Sequence, residues 1–263
     1  FRAMGDTGTL QTTDPMADNY VSAKSSNGVT LSVDYARRGK SARPRWKSLT
    51  VNVTGGYMKE GDTITIVFGD TSQGSNGLKL QTMVEIDFEF KVLADVCAVG
   101  HFIPIPNTPT IDIVPGPPAI WRAVLSSLRR PGERFHFGFK AEDSWGNPTE
   151  HAEGSFSFET TLPVNNLPET FDYPLGERSV SFEDLSCDQT GELRITVRDR
   201  ESGAVVAESH PMQIRDGQYG AYWGDLHGQS GESIGIGTSH SYFDFARNKA
   251  FLDLTSHQAN DFQ

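Results

Sequence analysis

The chain has 263 residues, enough for one to three domains and a substantial core, so size does not limit folding. With 34 Asp and Glu against 23 Lys and Arg the formal net charge is -11, which argues against a broad nucleic-acid surface or an anchor on anionic lipid, because both need cations to neutralise phosphate. No apolar run approaches the roughly twenty residues that cross a bilayer, no basic stretch followed by an apolar one opens the chain, and Cys97 and Cys187 show no C-x-x-C spacing. These features read as a soluble acidic protein of undecided compartment, with neither a zinc ribbon nor a thioredoxin motif.

Residues 1–47 are polar and carry the basic cluster Arg37, Arg38, Lys40, Arg43 and Arg45. The cluster has no interleaved aromatics, so it reads as a solvated loop within an irregular N-terminal segment. From Leu49 the period becomes two: Leu49, Val51 and Val53 alternate with polar residues, and so do Ile64, Ile66 and Phe68 after the Glu60-Gly61-Asp62 turn. The glycine-rich stretch Gly69–Gly77 lacks the Lys-Ser/Thr ending of a P-loop and is expected to be a hairpin connection into a long strand carrying Leu78, Leu80, Met83, Ile86, Phe88 and Phe90. Pro115-Gly116-Pro117-Pro118 marks a boundary, giving a first β-sandwich domain at 48–116.

Alternation restarts with Ile120, Ala123 and Val124. In the next strand Phe135, Phe137 and Phe139 face one way, and His136, Gly138 and Lys140 the other. Short strands at roughly ten-residue spacing, without a helical stretch, predict a second antiparallel sandwich at 117–217, so the chain is mainly β with two tandem immunoglobulin-like domains. The turn Asp143-Ser144-Trp145-Gly146-Asn147-Pro148 resembles the D-x-x-G-N-P connection of bacterial immunoglobulin-like domains, a packing signature. His101, His136, His151 and His210 have no ligand-like neighbours at short spacing and are read as structural or solvated. The sequon Asn52-Val53-Thr54 falls in a strand and carries no function.

Residues 218–263 change character. Tyr222-Trp223-Gly224-Asp225-Leu226-His227 and Phe251-Leu252-Asp253-Leu254-Thr255-Ser256-His257 are short runs that each end in histidine. Between them Tyr242, Phe245, Ala246, Lys249 and Ala250 recur at three- and four-residue steps, which predicts strand, helix and strand. Such a unit pairs its strands in parallel and brings both C-terminal ends to one sheet edge, where α/β proteins keep their sites. Imidazole and carboxylate are frequent metal ligands, so His227, His257 and Asp225 form a candidate metal site, with Gln229 and Asp261 as weaker candidates for substrate or outer-shell contact.

The run Gly224-Asp225-Leu226-His227-Gly228-Gln229-Ser230, with Tyr242 to Arg247 and Phe251 to Gln258, resembles a bacterial family related to the PHP (polymerase and histidinol phosphatase) phosphoesterases. The resemblance implies two β-rich modules followed by a PHP-like distorted (β/α) barrel, of which residues 218–263 are the incomplete start. On that reading the chain is a fragment of a longer metal-dependent hydrolase, inactive alone. By the same resemblance His227 takes the first histidine of an H-x-H strand end, with Gln229 in place of the second; Ser256 stands where the next strand has Asp before His257. The same residues also resemble the G-D-x-H-G-Q signature of calcineurin-like metallophosphatases, but the expected G-D-x-x-D-R-G is absent.

Both resemblances imply a divalent ion (zinc, manganese or iron) and a small anionic ester substrate, with no general acid assignable; the acidic charge balance speaks against a nucleic-acid or membrane partner. The competing expectation is a non-enzymatic tandem β-sandwich binding module.

Overall fold

The computed structural model describes residues 6–37, 47–217 and 219–258, so Asp261 and the cluster residues from Arg38 onward lie outside the described residues. The protein is mainly β, with a single helix among the described residues, and divides into two compact units between Ile113 and Val114.

The first unit contains β1 (Val21–Ser25), β2 (Thr30–Ala36), β3 (Ser48–Gly55), β4 (Ile64–Phe68), β5 (Glu85–Glu89), β6 (Leu93–Ala94), β7 (Ile103–Pro104) and β8 (Thr110–Ile113). They pair antiparallel as β1–β4, β2–β3, β5–β8 and β6–β7. The expectation of an irregular segment at 1–47 is corrected: Leu31, Val33 and Tyr35 alternate and pair with Val53, Val51 and Leu49, one apolar row facing another across the ladder.

The hairpin expected at Gly69–Gly77 also does not form. β4 pairs with β1, and of the long strand expected from Leu78 only Glu85–Glu89 is extended in a ladder. The cause is competition for backbone groups. Gly8 N–H donates to Lys79 O at 2.8 Å, Lys79 N–H to the Asn19 amide oxygen at 2.9 Å, and Thr82 N–H to the Asp6 carboxylate at 2.7 Å. The N-terminal segment therefore takes the bonds a hairpin partner would have used. Leu10, Val21, Phe88 and Ile113 are buried here, with the Phe90 ring 5.0 Å from Phe68 and 5.3 Å from Phe88.

The second unit contains β9 (Ile120–Val124), β10 (Leu128–Arg129), β11 (Phe135–Glu142), β12 (Gly154–Thr160), β13 (Thr170–Tyr173), β14 (Val180–Leu185), β15 (Gly191–Leu193), β16 (Ile195–Asp199), β17 (Val205–Glu208), β18 (Met212–Ile214), β19 (Gly224–Gly228), α1 (Ser239–Asn248) and β20 (Leu254–His257). An antiparallel sheet ordered β14-β11-β9 and another ordered β13-β12-β16-β17 share one core. Ala123, Phe137 and Phe139 from the first sheet are buried in it with Phe156, Ile195 and Val197 from the second. Trp121 stacks on Phe139 at 4.8 Å and meets Phe156 edge-on, so offset and T-shaped aromatic pairs fill the space between the strands. The Asp143 carboxylate holds its turn together by accepting from the backbone N–H groups of Gly116, Trp145 and Asn147.

The second face of β11 decides where the C-terminal segment goes. Gly138 lies under the Phe251 ring, so close that a methyl group at Gly138 would overlap it. On either side of that seat, Lys140 Nζ donates to Lys249 O at 2.7 Å and His136 Nε2 lies 3.3 Å from Phe251 O. Ser179 Oγ adds a bond to Asn248 O at 2.6 Å, so the sheet supplies partners to carbonyls that the end of α1 leaves open, and the buried ammonium faces the negative end of the helix. The segment from Tyr219 onward, expected to begin a separate domain, is thus part of the same compact unit. Two strands and one helix cannot bury their own apolar stripe, and the sheet offers the nearest cover.

A buried ion pair completes the docking. Arg129 is 2% exposed and donates through Nη2 to Asp253 Oδ1 at 2.7 Å and through Nη1 to Ala221 O at 2.6 Å. The other Asp253 oxygen accepts from Trp223 N–H at 2.8 Å, which joins the entries to β19 and β20. Substituting Asp253→Ala strands a buried guanidinium, and the expected loss is about 3–5 kcal/mol of unfolding free energy, read by denaturant titration of Trp fluorescence. A loss below about 1 kcal/mol would show that this pair does not hold the segment.

Candidate functional site

β19 and β20 form a two-stranded parallel sheet with α1 between them in sequence. The helix begins with a capping box: Thr238 Oγ1 accepts from Ser241 N–H at 3.0 Å, and Ser241 Oγ accepts from Thr238 N–H at 3.0 Å. It ends at Asn248 with Lys249 as the capping residue, and two residues further on Phe251, packed on Gly138, takes φ of 56°, a left-handed conformation unusual for a bulky side chain. β20 consequently starts at Leu254 and not at Phe251.

The register explains the motif. Asp225 stands opposite Thr255 and Gly228 opposite His257, so Leu226 and His227 together face only Ser256 across the ladder. This is a β-bulge, a device that re-aims side chains at sheet ends. It brings a glycine, and not His227, beneath the Tyr242 ring, where any β-carbon would overlap the hydroxyl. The glycine after His227 is therefore a steric requirement of the helix packing.

Around that contact lies a polar cluster. The Tyr242 hydroxyl meets Thr255 Oγ1, donates to Ser256 O at 3.2 Å and approaches Asp225 Oδ2 at 3.5 Å. Asp225 Oδ1 accepts from His227 N–H at 2.8 Å. His227 itself is exposed, and its ring makes no hydrogen bond among the described residues. His257 is half-buried, with Nε2 2.8 Å from Ser230 Oγ and its ring 5.9 Å from that of Tyr242.

Ser230 is fully buried and bonds the Glu232 carboxylate. The Ser230 hydroxyl, with help from Ser239 at the start of α1, holds the Glu232 carboxyl down to about 2. The loop can wrap this closely because Gly231 and Gly235 sit where a side chain would strike Gly237 O and Gln229 O.

The structure therefore brings Asp225 and the His227 backbone together at one strand end and sets His257 one register step along the same rim. It leaves Gln229 half-buried at the start of the loop. In chemical type the donors suit a divalent ion; in number they fall short, since no group of three or more His, Cys, Asp or Glu among the described residues is placed to hold one. A cavity of about 390 Å³, lined by His136, Glu183, Phe243, Arg247, Leu252 and Thr255 among others, does not include Asp225, His227 or His257. The candidate site is thus an open rim. Ser230, Glu232, Tyr242 and Thr255 escaped the reading of the sequence: Tyr242 registered only as part of a helix face, and nothing in spacing alone joins Ser230 to His257 across 27 residues.

Comparison with known protein families and with curated proteins finds no match to this chain.

Two outcomes test the geometry. Gly228→Ala should expel Tyr242 and cost about 1–3 kcal/mol, measured by thermal unfolding, whereas Gly217→Ala, with open space around its β-carbon and no left-handed backbone, should leave the Tyr242 contact intact. Acid should loosen the segment. Burial works against the charge of Glu133, but donation from the Tyr222 hydroxyl and Arg130 outweighs it and holds that carboxyl at about 2. Glu133 and Glu232 are thus both depressed from 4.5, so their contribution is present above about pH 4.5 and is lost as pH falls toward 2. Glu133→Gln with Glu232→Gln should flatten that slope in Trp-monitored unfolding; an unchanged slope would place the titration elsewhere.

Proposed function

We propose that the chain is part of a metal-dependent hydrolase of the PHP-like type acting on a small anionic ester, with residues 219–258 carrying one sector of the metal site. The parallel register that sets His227 and His257 on one rim supports this reading, because it is the arrangement the resemblance requires. In the proposal His227 and His257 are direct ligands, Asp225 is a ligand or orients one, and Gln229 and Asp261 contact substrate or support the ligands from the outer shell. The two sheets around Trp121 and Phe139 are an immunoglobulin-like sandwich, and the first unit is a second β module ahead of it. Held by His227, His257 and Asp225 with ligands from elsewhere, a divalent ion would supply Lewis acidity and positive charge for the ester oxygens. The chain's own residues supply position: Tyr242 ties β19 to β20 through Asp225, Thr255 and Ser256, and the bulge turns His227 toward solvent.

Zinc or manganese content of the full reading frame, determined by elemental analysis after dialysis, tests the proposal. His227→Ala combined with His257→Ala should lower occupancy at least about tenfold at limiting metal, since even outer-shell changes cost 10–100-fold in affinity. Undiminished metal in the double variant, or none in the parent, would leave the tandem β module as the function.

A further inference from the structure

The hydrogen-bond inventory of Ser230 fixes the state of a neighbouring ring. A serine hydroxyl has one proton to give and two lone pairs to fill. Glu232 N–H approaches Ser230 Oγ at 3.2 Å and fills one lone pair. The Glu232 carboxylate is ionised at neutral pH and can only accept, so the hydroxyl proton goes to it. One lone pair remains, and His257 Nε2 lies 2.8 Å from the same oxygen. Only Nε2–H satisfies that contact; a bare Nε2 would set two lone pairs against each other.

We infer that Ser230 and Glu232 act as positioning residues that lock His257 in its Nε2–H tautomer, so that Nδ1 is the nitrogen it offers at the rim to a metal ion or a proton. No described residue donates to Nδ1. The arrangement has the order of carboxylate, hydroxyl, imidazole, with the serine in the middle and fully buried. Ser230 is therefore no nucleophile: its oxygen is closed off from substrate, its proton is held by Glu232, and the imidazole faces it with a donor and not with a base. A carboxylate that grips a ring nitrogen through an intermediary holds the ring's orientation. Glu232 is in turn held by Ser239 at the first turn of α1, where the helix favours negative charge. The glycine-rich loop after His227 thus gains a role: it brings Glu232 back over Ser230 and sets the chemistry of a histidine on the next strand.

Only the use of Nδ1 by a metal rests on the hydrolase reading; the tautomer does not. Two-bond ¹H–¹⁵N correlation spectra of the metal-free protein at about pH 8, above the ordinary histidine range, read the tautomer directly. The parent should show His257 almost wholly as Nε2–H. Glu232→Ala frees the Ser230 proton to turn toward the ring, and the Nδ1–H population should rise several-fold. Ser230→Ala removes the lock and should give the mixture of an unconstrained imidazole. An Nδ1–H ring in the parent, or a ratio unmoved by both substitutions, would overturn the inference. Zinc added to the parent should then shift Nδ1 and not Nε2. A zinc shift at Nε2 would also overturn the assignment, whereas the predicted tautomer with no zinc response would sink the metal reading alone.

Discussion

The Arg129–Asp253 pair is the contact on which the C-terminal segment depends. Nearly all of the guanidinium is withdrawn from water, so its charge must be met inside the protein, and Asp253 meets it at 2.7 Å while also accepting from Trp223 N–H. The Tyr222 ring covers the guanidinium at 4.4 Å from its centroid, adding a cation–π contact in a desolvated setting. One carboxylate thereby fixes the entries of both parallel strands against β10. By themselves β19 and β20 would be a two-stranded ladder with marginal stability in water.

The same economy appears on β11. His136, Gly138 and Lys140 alternate with the phenylalanines of the core, the pattern of a strand with one wet face. In the structure that face is occupied. Gly138 makes room for Phe251, and the polar neighbours on each side capture backbone carbonyls at the end of α1. Polar side chains here serve as a dock for backbone, since a helix end brought against a sheet must have its carbonyls satisfied.

At the rim, packing and chemistry are coupled through Gly228. The bulge that lets Tyr242 reach across the sheet also separates His227 from the position opposite His257, so the two imidazoles differ in setting. His227 is exposed with no ring partner among the described residues, whereas His257 is half-buried and tied to Ser230. Two histidines that look equivalent in the sequence therefore have different roles available: one free to meet a ligand from solvent, the other with its tautomer set by a buried hydroxyl.

Periodicity by itself determined that this protein is mainly β and that a helix lies between the strands carrying His227 and His257, because a two-residue or 3.6-residue repeat of apolar side chains survives without knowledge of any partner. Leu31, Val33 and Tyr35 carried that repeat too, hidden by polar surroundings. Which strands pair was decided only by tertiary structure. β4 turned to β1, and not to the stretch after Gly77, because Gly8, Asn19 and Asp6 claimed the backbone groups around Lys79. The candidate ligands at Asp225, His227 and His257 were legible as residue types at strand ends. Their neighbours Tyr242, Ser230 and Glu232 were not, since a hydroxyl has no spacing signature and acquires meaning only when folding places it 2.8 Å from an imidazole.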